Sequence, residues 1–199
     1  MMRIATLCSH GGSILQAVID AIEGGTLDAQ IVLVISNNSR AEAIRRATRH
    51  GIPTLHLSSH THPDEAERDA ALTSALAESA ADWVLLAGYM KKLGPQTLAR
   101  FPQRILNTHP ALLPKHGGRG FYGRRVHEAV LAAGETESGA TMHLINDDYD
   151  TGPIVDQTKV PVKPDDDPET LEERVKIAER ALVVATLARL VEQTEADYA

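Results

Sequence analysis

The feature that most restricts the fold is a regular alternation of short apolar runs with longer amphipathic segments. Apolar runs at residues 3–9, 31–36, 53–57 and 83–88 are separated by segments with helical spacing, and a fifth run begins at residue 105. Strands that alternate with helices through short links pair in parallel, with helices on both faces of the sheet. The pattern predicts an α/β fold with a Rossmann-like, mostly parallel sheet.

The second half of the chain predicts an antiparallel extension of this sheet. Residues 139–146 and 154–162 have strand character and are joined by an acidic turn at 147–153. A closing helix opens at 167–169 and fades near residue 192. Since no linker, repeat or low-complexity segment interrupts the chain, we expect a single domain over residues 1–199.

Composition excludes several classes of partner. The net charge of −7 argues against a nucleic-acid partner, and no apolar run reaches transmembrane length. The single cysteine, Cys8, cannot form an intrachain disulfide and is expected to be a small buried hydrophobe. We therefore expect a cytoplasmic protein without a nucleic-acid or membrane partner. The sequence does not give the oligomeric state, and a monomer or a homodimer is expected.

The fifth apolar run leads directly into a candidate catalytic pair. Asn107 and His109 stand at its end, and Pro110 and Pro114 stop the strand from continuing. Ligands of open α/β sheets bind beyond the carboxyl ends of the strands. An amide donor beside an imidazole suits acyl-type chemistry, although the motif alone also fits an ordinary proline-rich turn.

A glycine turn after the first strand is the second candidate site. Residues 9–13 read Ser-His-Gly-Gly-Ser and open a helix. Backbone N–H groups at a helix N-terminus favour a phosphate. The turn lacks the dinucleotide and P-loop signatures, so a tight turn with Ser13 as the helix cap is an equal alternative.

Several motifs together make the chain resemble the folate-dependent formyltransferases over nearly its whole length. The matching segments are Gly12-Ser13, residues 86–90, 107–114, 139–143, 147–153 and 174–179. The combination of Asn-x-His-Pro at 107–110 with Asp-x-Gly-Pro at 150–153 is the most specific part, whereas the glycine turn alone would be weak.

The resemblance implies transfer of a formyl group from the co-substrate 10-formyltetrahydrofolate to the amino group of glycinamide ribonucleotide, with no metal. Asn107 matches the donor to the oxyanion of the tetrahedral intermediate. His109 matches the general acid and base. Asp150 matches the carboxylate that raises the pKa of this histidine and helps relay the proton.

The resemblance also implies substrate-binding residues. Gly12, Ser13 and Ile14 match the phosphate loop, and Lys176 and Glu179, on one face of the last helix, match contacts to the phosphate and ribose. The matches to the folate pocket are Leu86, Met90, Lys91, Lys92, Leu93 and Asp147. For Leu86 and Met90 ordinary core packing is the alternative, and for the helical pair it is an exposed charge pair.

Four departures from the family pattern concern the substrates. Ile14 replaces an asparagine that would donate to phosphate, and Lys91 replaces a common arginine. Residues 64–65 are acidic where a base often meets the folate tail. The loop at 117–123 is longer than usual, and Arg119, Arg124 and Arg125 are candidate replacements for missing anion contacts.

Four other functions fit parts of this sequence. They are a related formyltransferase that acts on another amine, a 10-formyltetrahydrofolate hydrolase, a folate- or nucleotide-binding protein without catalysis, and a Rossmann dehydrogenase. The last is disfavoured because Asn37 and Asn38, rather than an acidic ribose-binding residue, follow the second strand.

Overall fold

Strand β1 (Met2–Cys8) is buried along nearly its full length. The computed structural model describes residues 1–197, and the side chains of residues 1–193. β1 pairs in parallel with β2 (Ala29–Ser36) and with β4 (Trp83–Leu86). A strand with neighbours on both sides and cover on both faces is expected to be largely apolar, which explains the nearly continuous apolar run, with Thr6 as a buried polar exception.

The described residues form seven strands and six helices. Besides β1, β2 and β4, these are α1 Ser13–Glu23, α2 Glu42–Arg49, β3 Thr54–His56, α3 Glu65–Glu78, α4 Pro95–Arg100, β5 Ile105–His109, α5 Arg124–Ala132, β6 Glu137–Leu144, β7 Ile154–Pro161 and α6 Pro168–Asp197. The sheet order is β3-β2-β1-β4-β5-β6-β7, and β6 and β7 are antiparallel. The predicted α/β class, with a mostly parallel sheet and antiparallel strands near the C-terminal end of the chain, is confirmed.

The chain divides into two compact units. One comprises Met1–Leu106 and the end of α6 from Ala188, and the other comprises Asn107–Leu187. In the first unit, α1 buries one apolar stripe formed by Ile14, Leu15, Val18 and Ile19. In the second unit, α6 buries Leu171, Val175, Leu182 and Val183. The single domain over residues 1–199 stays a prediction.

Two local features refine the sequence analysis. Helix α6 continues to Asp197, beyond the point near residue 192 where its apolar spacing fades, because no glycine or proline follows Pro168. Cys8 is fully buried, and this burial raises the pKa of its thiol to about 12, as suits a packing residue. None of the described helices is long and apolar enough to cross a membrane.

The start of α1 depends on a close approach to α2. Gly12 has φ +69°, and a Cβ at this position would lie 2.8 Å from the Cβ of Ala43. Gly25 has a nearly identical φ of +71°, but a Cβ there would meet nothing within 4 Å. Both positions therefore require a residue that tolerates a positive φ, but only at Gly12 is there also no room for a Cβ atom.

This difference gives the first prediction. Gly25→Ala should lower the free energy of unfolding by about 1–2 kcal/mol, the cost of a left-handed non-glycine residue. Gly12→Ala should lower it by at least about 1 kcal/mol more, because the methyl group also overlaps Ala43. Urea unfolding of both variants measures the difference, and equal losses would show that the approach of α2 is not tight.

Candidate active site

Strand β5 presents Asn107 and His109 on the same face because side chains two residues apart in a strand point the same way. Ile105 and Leu106 anchor the strand in the core. Asn107 is half-buried, while His109 is buried, with an exposed fraction of 4%. The amide and the imidazole are therefore rigidly placed at the strand's end.

Asp150 lies in the turn after β6 and reaches this pair. Its Oδ2 atom is 3.5 Å from Nδ1 of His109 and accepts a hydrogen bond from the backbone N–H of Gly118 at 2.9 Å. Asp150 has φ +54°, a left-handed conformation that aspartate adopts more readily than most residues. A Cβ at residue 117 would lie 2.3 Å from Leu113 Cδ2 and 3.3 Å from the Asp150 Cβ, so a side chain there would have to displace Leu113 beside the carboxylate.

The hydrogen bonds of His109 define which ring nitrogen can accept a proton. Nε2 is 2.8 Å from the backbone carbonyl oxygen of His116, so Nε2 carries a hydrogen and donates it. In the neutral ring, Nδ1 therefore has the lone pair. Nδ1 faces Asp150, whose carboxylate would stabilise the imidazolium formed when Nδ1 takes a proton.

The pKa of His109 is set by burial and by its polar neighbours, which act in opposite directions. Burial lowers this pKa, whereas the Asp150 carboxylate and the His116 carbonyl raise it. Asp150 thus acts on this pKa in the predicted direction, but burial outweighs it and the pKa lies below its ordinary value. Burial would raise the pKa of Asp150, but His143, the charge on His109 and the Gly118 N–H hold it below its usual range.

A second histidine belongs to the site and was not among the predicted site residues. His143 on β6 is fully buried, and its Nε2 lies 3.0 Å from Nδ2 of Asn107 and 3.5 Å from Oδ1 of Asp150. Its Nδ1 is 3.0 Å from the carbonyl of Leu144. We assign Nδ1 as the donor to the Leu144 carbonyl and Nε2 as the acceptor from Asn107. The reason is that Nε2 lies closer to the Asn107 amide, at 3.0 Å, than to the Asp150 carboxylate, at 3.5 Å.

This assignment leaves one N–H of the Asn107 amide for a ligand. The amide nitrogen has two N–H groups, and His143 takes one of them. The sequence did show His143 within the family-like segment 139–143, but its role depends on the neighbouring strand, which the segment alone does not reveal.

Of the residues predicted to bind the acceptor, two lie on α6. Glu179 is buried and forms a hydrogen bond with Thr108, the residue between Asn107 and His109. Burial raises the pKa of this carboxyl group, with Thr108 opposing the effect. The Nζ atom of Lys176 lies 2.9 Å from Glu172 and 3.0 Å from Glu173, so a bound anion would compete with two carboxylates.

The predicted phosphate loop lies in the other unit. Gly12 is the N-cap of α1, and no side chain caps this helix, so the alternative in which Ser13 caps it is wrong. Ile14 is buried, which leaves only its backbone N–H for a ligand. Arg46 was not predicted here, yet its guanidinium donates to the carbonyl of Gly11 at 2.9 Å and to Gln16 at 3.0 Å, placing a cation at this turn.

The predicted folate-binding residues form two groups by exposure. Leu86 and Leu93 are buried in the core, whereas Met90 is 45% exposed. Lys91, Lys92 and Asp147 are also exposed. The Met90 backbone N–H donates to Ser9 Oγ at 2.8 Å, which ties this segment to the end of β1. The alternative of ordinary core packing therefore fits Leu86, which is buried, but not Met90, which is exposed.

The three arginines considered as anion contacts have different surroundings. Arg124 forms an ion pair with Glu128 at 3.2 Å, and the guanidinium of Arg125 lies 5.1 Å from the ring centre of Tyr122. Arg119 is exposed. Within the described part of the chain, no three His, Cys, Asp or Glu side chains cluster so as to hold a metal ion.

With this geometry in hand, comparison with known proteins decides the family. The sequence pattern of the formyl transferase family matches residues 2–187. The chain belongs to the formyl transferase family. The resemblance predicted from the motifs is thereby confirmed.

This formyl transferase is similar to proteins of several lengths. It is 41% identical over 188 residues to a phosphoribosylglycinamide formyltransferase of Mycobacterium tuberculosis, covering 94% of this chain and 84% of that protein. It is 41% identical over 197 residues to the trifunctional purine biosynthetic protein adenosine-3 of Drosophila melanogaster, covering 96% of this chain but only 14% of that protein.

A solved structure agrees with the fold. The glycinamide ribonucleotide transformylase 1 of Symbiobacterium toebii superposes with a TM-score of 0.91 at 34% identity. The match covers 97% of this formyl transferase and 89% of that chain.

The electrostatics of His109 give the second prediction. Asp150→Asn removes the charge that favours the imidazolium, so the pKa of His109 should fall further below its ordinary value. Asparagine tolerates the left-handed backbone at this position, which limits structural damage. An NMR pH titration of the His109 ring measures the shift.

Asp148→Asn is the matched control for this titration, since it removes an exposed carboxylate from the same turn. It should leave the pKa of His109 unchanged. An unchanged or higher pKa in Asp150→Asn would show that the carboxylate does not act on the imidazole.

Proposed function

We propose that this chain transfers a formyl group from 10-formyltetrahydrofolate to the amino group of 5'-phosphoribosylglycinamide (GAR), a step of purine biosynthesis. The observation that carries the proposal is the convergence of Asn107, His109 and Asp150, with distances of 3.5 Å or less linking them directly or through His143. These groups supply what acyl transfer to an amine needs: a donor to an oxyanion, a base and a stabiliser of the protonated base.

In the proposed reaction, the amine nitrogen attacks the formyl carbon and a new C–N bond forms. The carbonyl oxygen becomes an oxyanion, which the second N–H of Asn107 stabilises, an interaction worth about 3 kcal/mol of barrier. Nδ1 of His109 removes a proton from the attacking nitrogen. It then returns a proton to N10 of the folate as the C–N10 bond breaks, while Asp150 stabilises the imidazolium.

We assign the substrate-binding groups by the same reasoning. Backbone N–H groups of Gly12, Ser13 and Ile14 at the uncapped start of α1 would bind the GAR phosphate. Lys176 and Glu179 would contact the phosphate and ribose. The segment of Leu86, Met90, Lys91, Lys92 and Leu93, with Asp147, would hold the folate.

The direct test mixes the full chain with GAR and 10-formyltetrahydrofolate and follows the appearance of deformylated folate and formyl-GAR in equal amounts. Turnover that needs GAR supports the proposal. Turnover with another amine but not with GAR would identify a related formyltransferase with a different acceptor. Formate release without any amine would identify a 10-formyltetrahydrofolate hydrolase. If no formyl transfer or hydrolysis occurs although folate binds, the chain is a binding protein.

The third prediction concerns the phosphate. Lys176→Ala should raise the KM for GAR by about 10- to 100-fold with little change in kcat, because it removes a charge-assisted hydrogen bond worth about 1.5–3 kcal/mol. Lys159→Ala is the matched control, since Lys159 is an exposed lysine paired with Glu137 at 2.8 Å. Equal effects of the two substitutions, or a loss of kcat alone, would argue against a phosphate contact at Lys176.

The proposed reaction uses no metal, and its partners are small molecules alone. We further propose that residues 1–199 act as one catalytic domain in the cytoplasm, as a monomer or homodimer.

A further inference from the structure

The carbonyl that fixes the tautomer of His109 belongs to a residue in an unfavourable backbone conformation. His116 has φ +54°, in the left-handed region that few non-glycine residues adopt. Its carbonyl oxygen lies 2.8 Å from Nε2 of His109. A conformation of this kind persists only where other contacts hold it in place.

The side chain of His116 makes such a contact. Its Nε2 atom lies 3.4 Å from Oε1 of Glu135, the residue that follows the end of α5 and the Gly134 turn. Both carboxylate oxygens of Glu135 also accept from Nζ of Lys115 at 3.0 Å. The ring of Phe121 meets that of His116 edge-on, with 6.4 Å between ring centres. Glu135 thus holds two consecutive residues of the loop.

Packing alone does not hold this part of the loop. A cavity of about 330 Å³ lies against it and is lined by Leu113, Lys115, His116, Val130, Glu135 and Ser138, among others. The hydroxyl of Ser138 is buried and has no hydrogen-bond partner. Open space therefore borders His116 and Glu135, so packing contacts on this side of the His116 side chain are fewer and its polar contact with Glu135 adds a restraint there.

We propose that Glu135 and His116 are positioning residues for His109. By holding the His116 side chain, Glu135 keeps the His116 carbonyl against Nε2 of His109, so that the neutral ring stays in the tautomer whose Nδ1 can accept a proton. The catalytic consequence rests on the proposed function, but the tautomer itself can be measured without any substrate.

Other groups also face the imidazole of His109. The Asp150 carboxylate raises the pKa of His109, and His143 and the His116 ring lower it. His127, on α5, interacts electrostatically with His109 as well. The His116 carbonyl favours the protonated ring, so losing this contact while the other groups remain should lower the pKa of His109.

The experiment compares Glu135→Ala with the wild-type chain by NMR of the imidazole nitrogens of His109. The wild type should show the Nε2–H tautomer. In Glu135→Ala the Nδ1–H tautomer should appear, and the pKa of His109 should fall. With GAR and 10-formyltetrahydrofolate, kcat should fall about tenfold while the KM for GAR changes little, because the base is misplaced but the substrate contacts remain.

Three further variants make this test specific. Glu135→Gln keeps an acceptor oxygen and should recover part of the loss. His116→Asn keeps a residue that tolerates the left-handed backbone but removes the ring, so it should resemble Glu135→Ala. Glu137→Ala breaks the neighbouring pair with Lys159 at 2.8 Å, on the same cavity, and should change neither the tautomer nor kcat.

The proposal is overturned if Glu135→Ala retains the wild-type tautomer and pKa of His109, or if Glu137→Ala changes them equally. Failure of the proposed function would look different. The wild type would then not formylate GAR, while the tautomer and pKa of His109 would still respond to substitution at Glu135.

Discussion

The Asp150 carboxylate is the group on which the remaining contacts of the site depend. It lies 3.5 Å from His109 on one side and 3.5 Å from His143 on the other, and it accepts a hydrogen bond from Gly118. A partly buried carboxylate is costly without a donor. Because Nδ1 of neutral His109 and Nε2 of His143 are both assigned as acceptors, the Gly118 N–H supplies that donor until His109 takes up a proton. The Asp150 carboxylate therefore contacts His109 at the end of β5, His143 on β6 and Gly118 in the loop between these strands.

Burial and charge have opposite effects on His109, and the balance suits a base. Because burial prevails, the pKa of His109 lies below its ordinary value and the neutral ring predominates near neutral pH. The resting enzyme then holds an imidazole ready to accept a proton. Asp150, whose own pKa is lowered, remains ionised and stabilises the imidazolium once it forms.

The fold was largely predictable because its signals are local. Apolar runs and helical spacing are properties of neighbouring residues, and they located the seven strands and the six helices. Asn107, His109 and Asp150 were found through motifs that match a family, and the structure brings them together. Their roles are still proposals, since proximity alone does not establish chemistry.

The features that the sequence did not predict depend on residues distant in the chain. His143 looks like an ordinary strand residue until β5 lies beside it with Asn107. The contact of His109 with the His116 carbonyl depends on a backbone conformation that residue type does not specify. The net pKa of His109 depends on burial, which Asp150 alone could not indicate. Ile14 likewise appeared as a loop substitution, whereas its side chain is part of the core.

The central claim is that Asn107, His109, His143 and Asp150 act as one connected unit in formyl transfer. A double-mutant cycle of kcat, with Asn107→Ala, Asp150→Asn and the combined variant, tests it most directly. We expect the combined variant to be little slower than the slower single variant, because each substitution disables the same unit. If the two losses in kcat simply multiply, the residues act independently and the claim is contradicted.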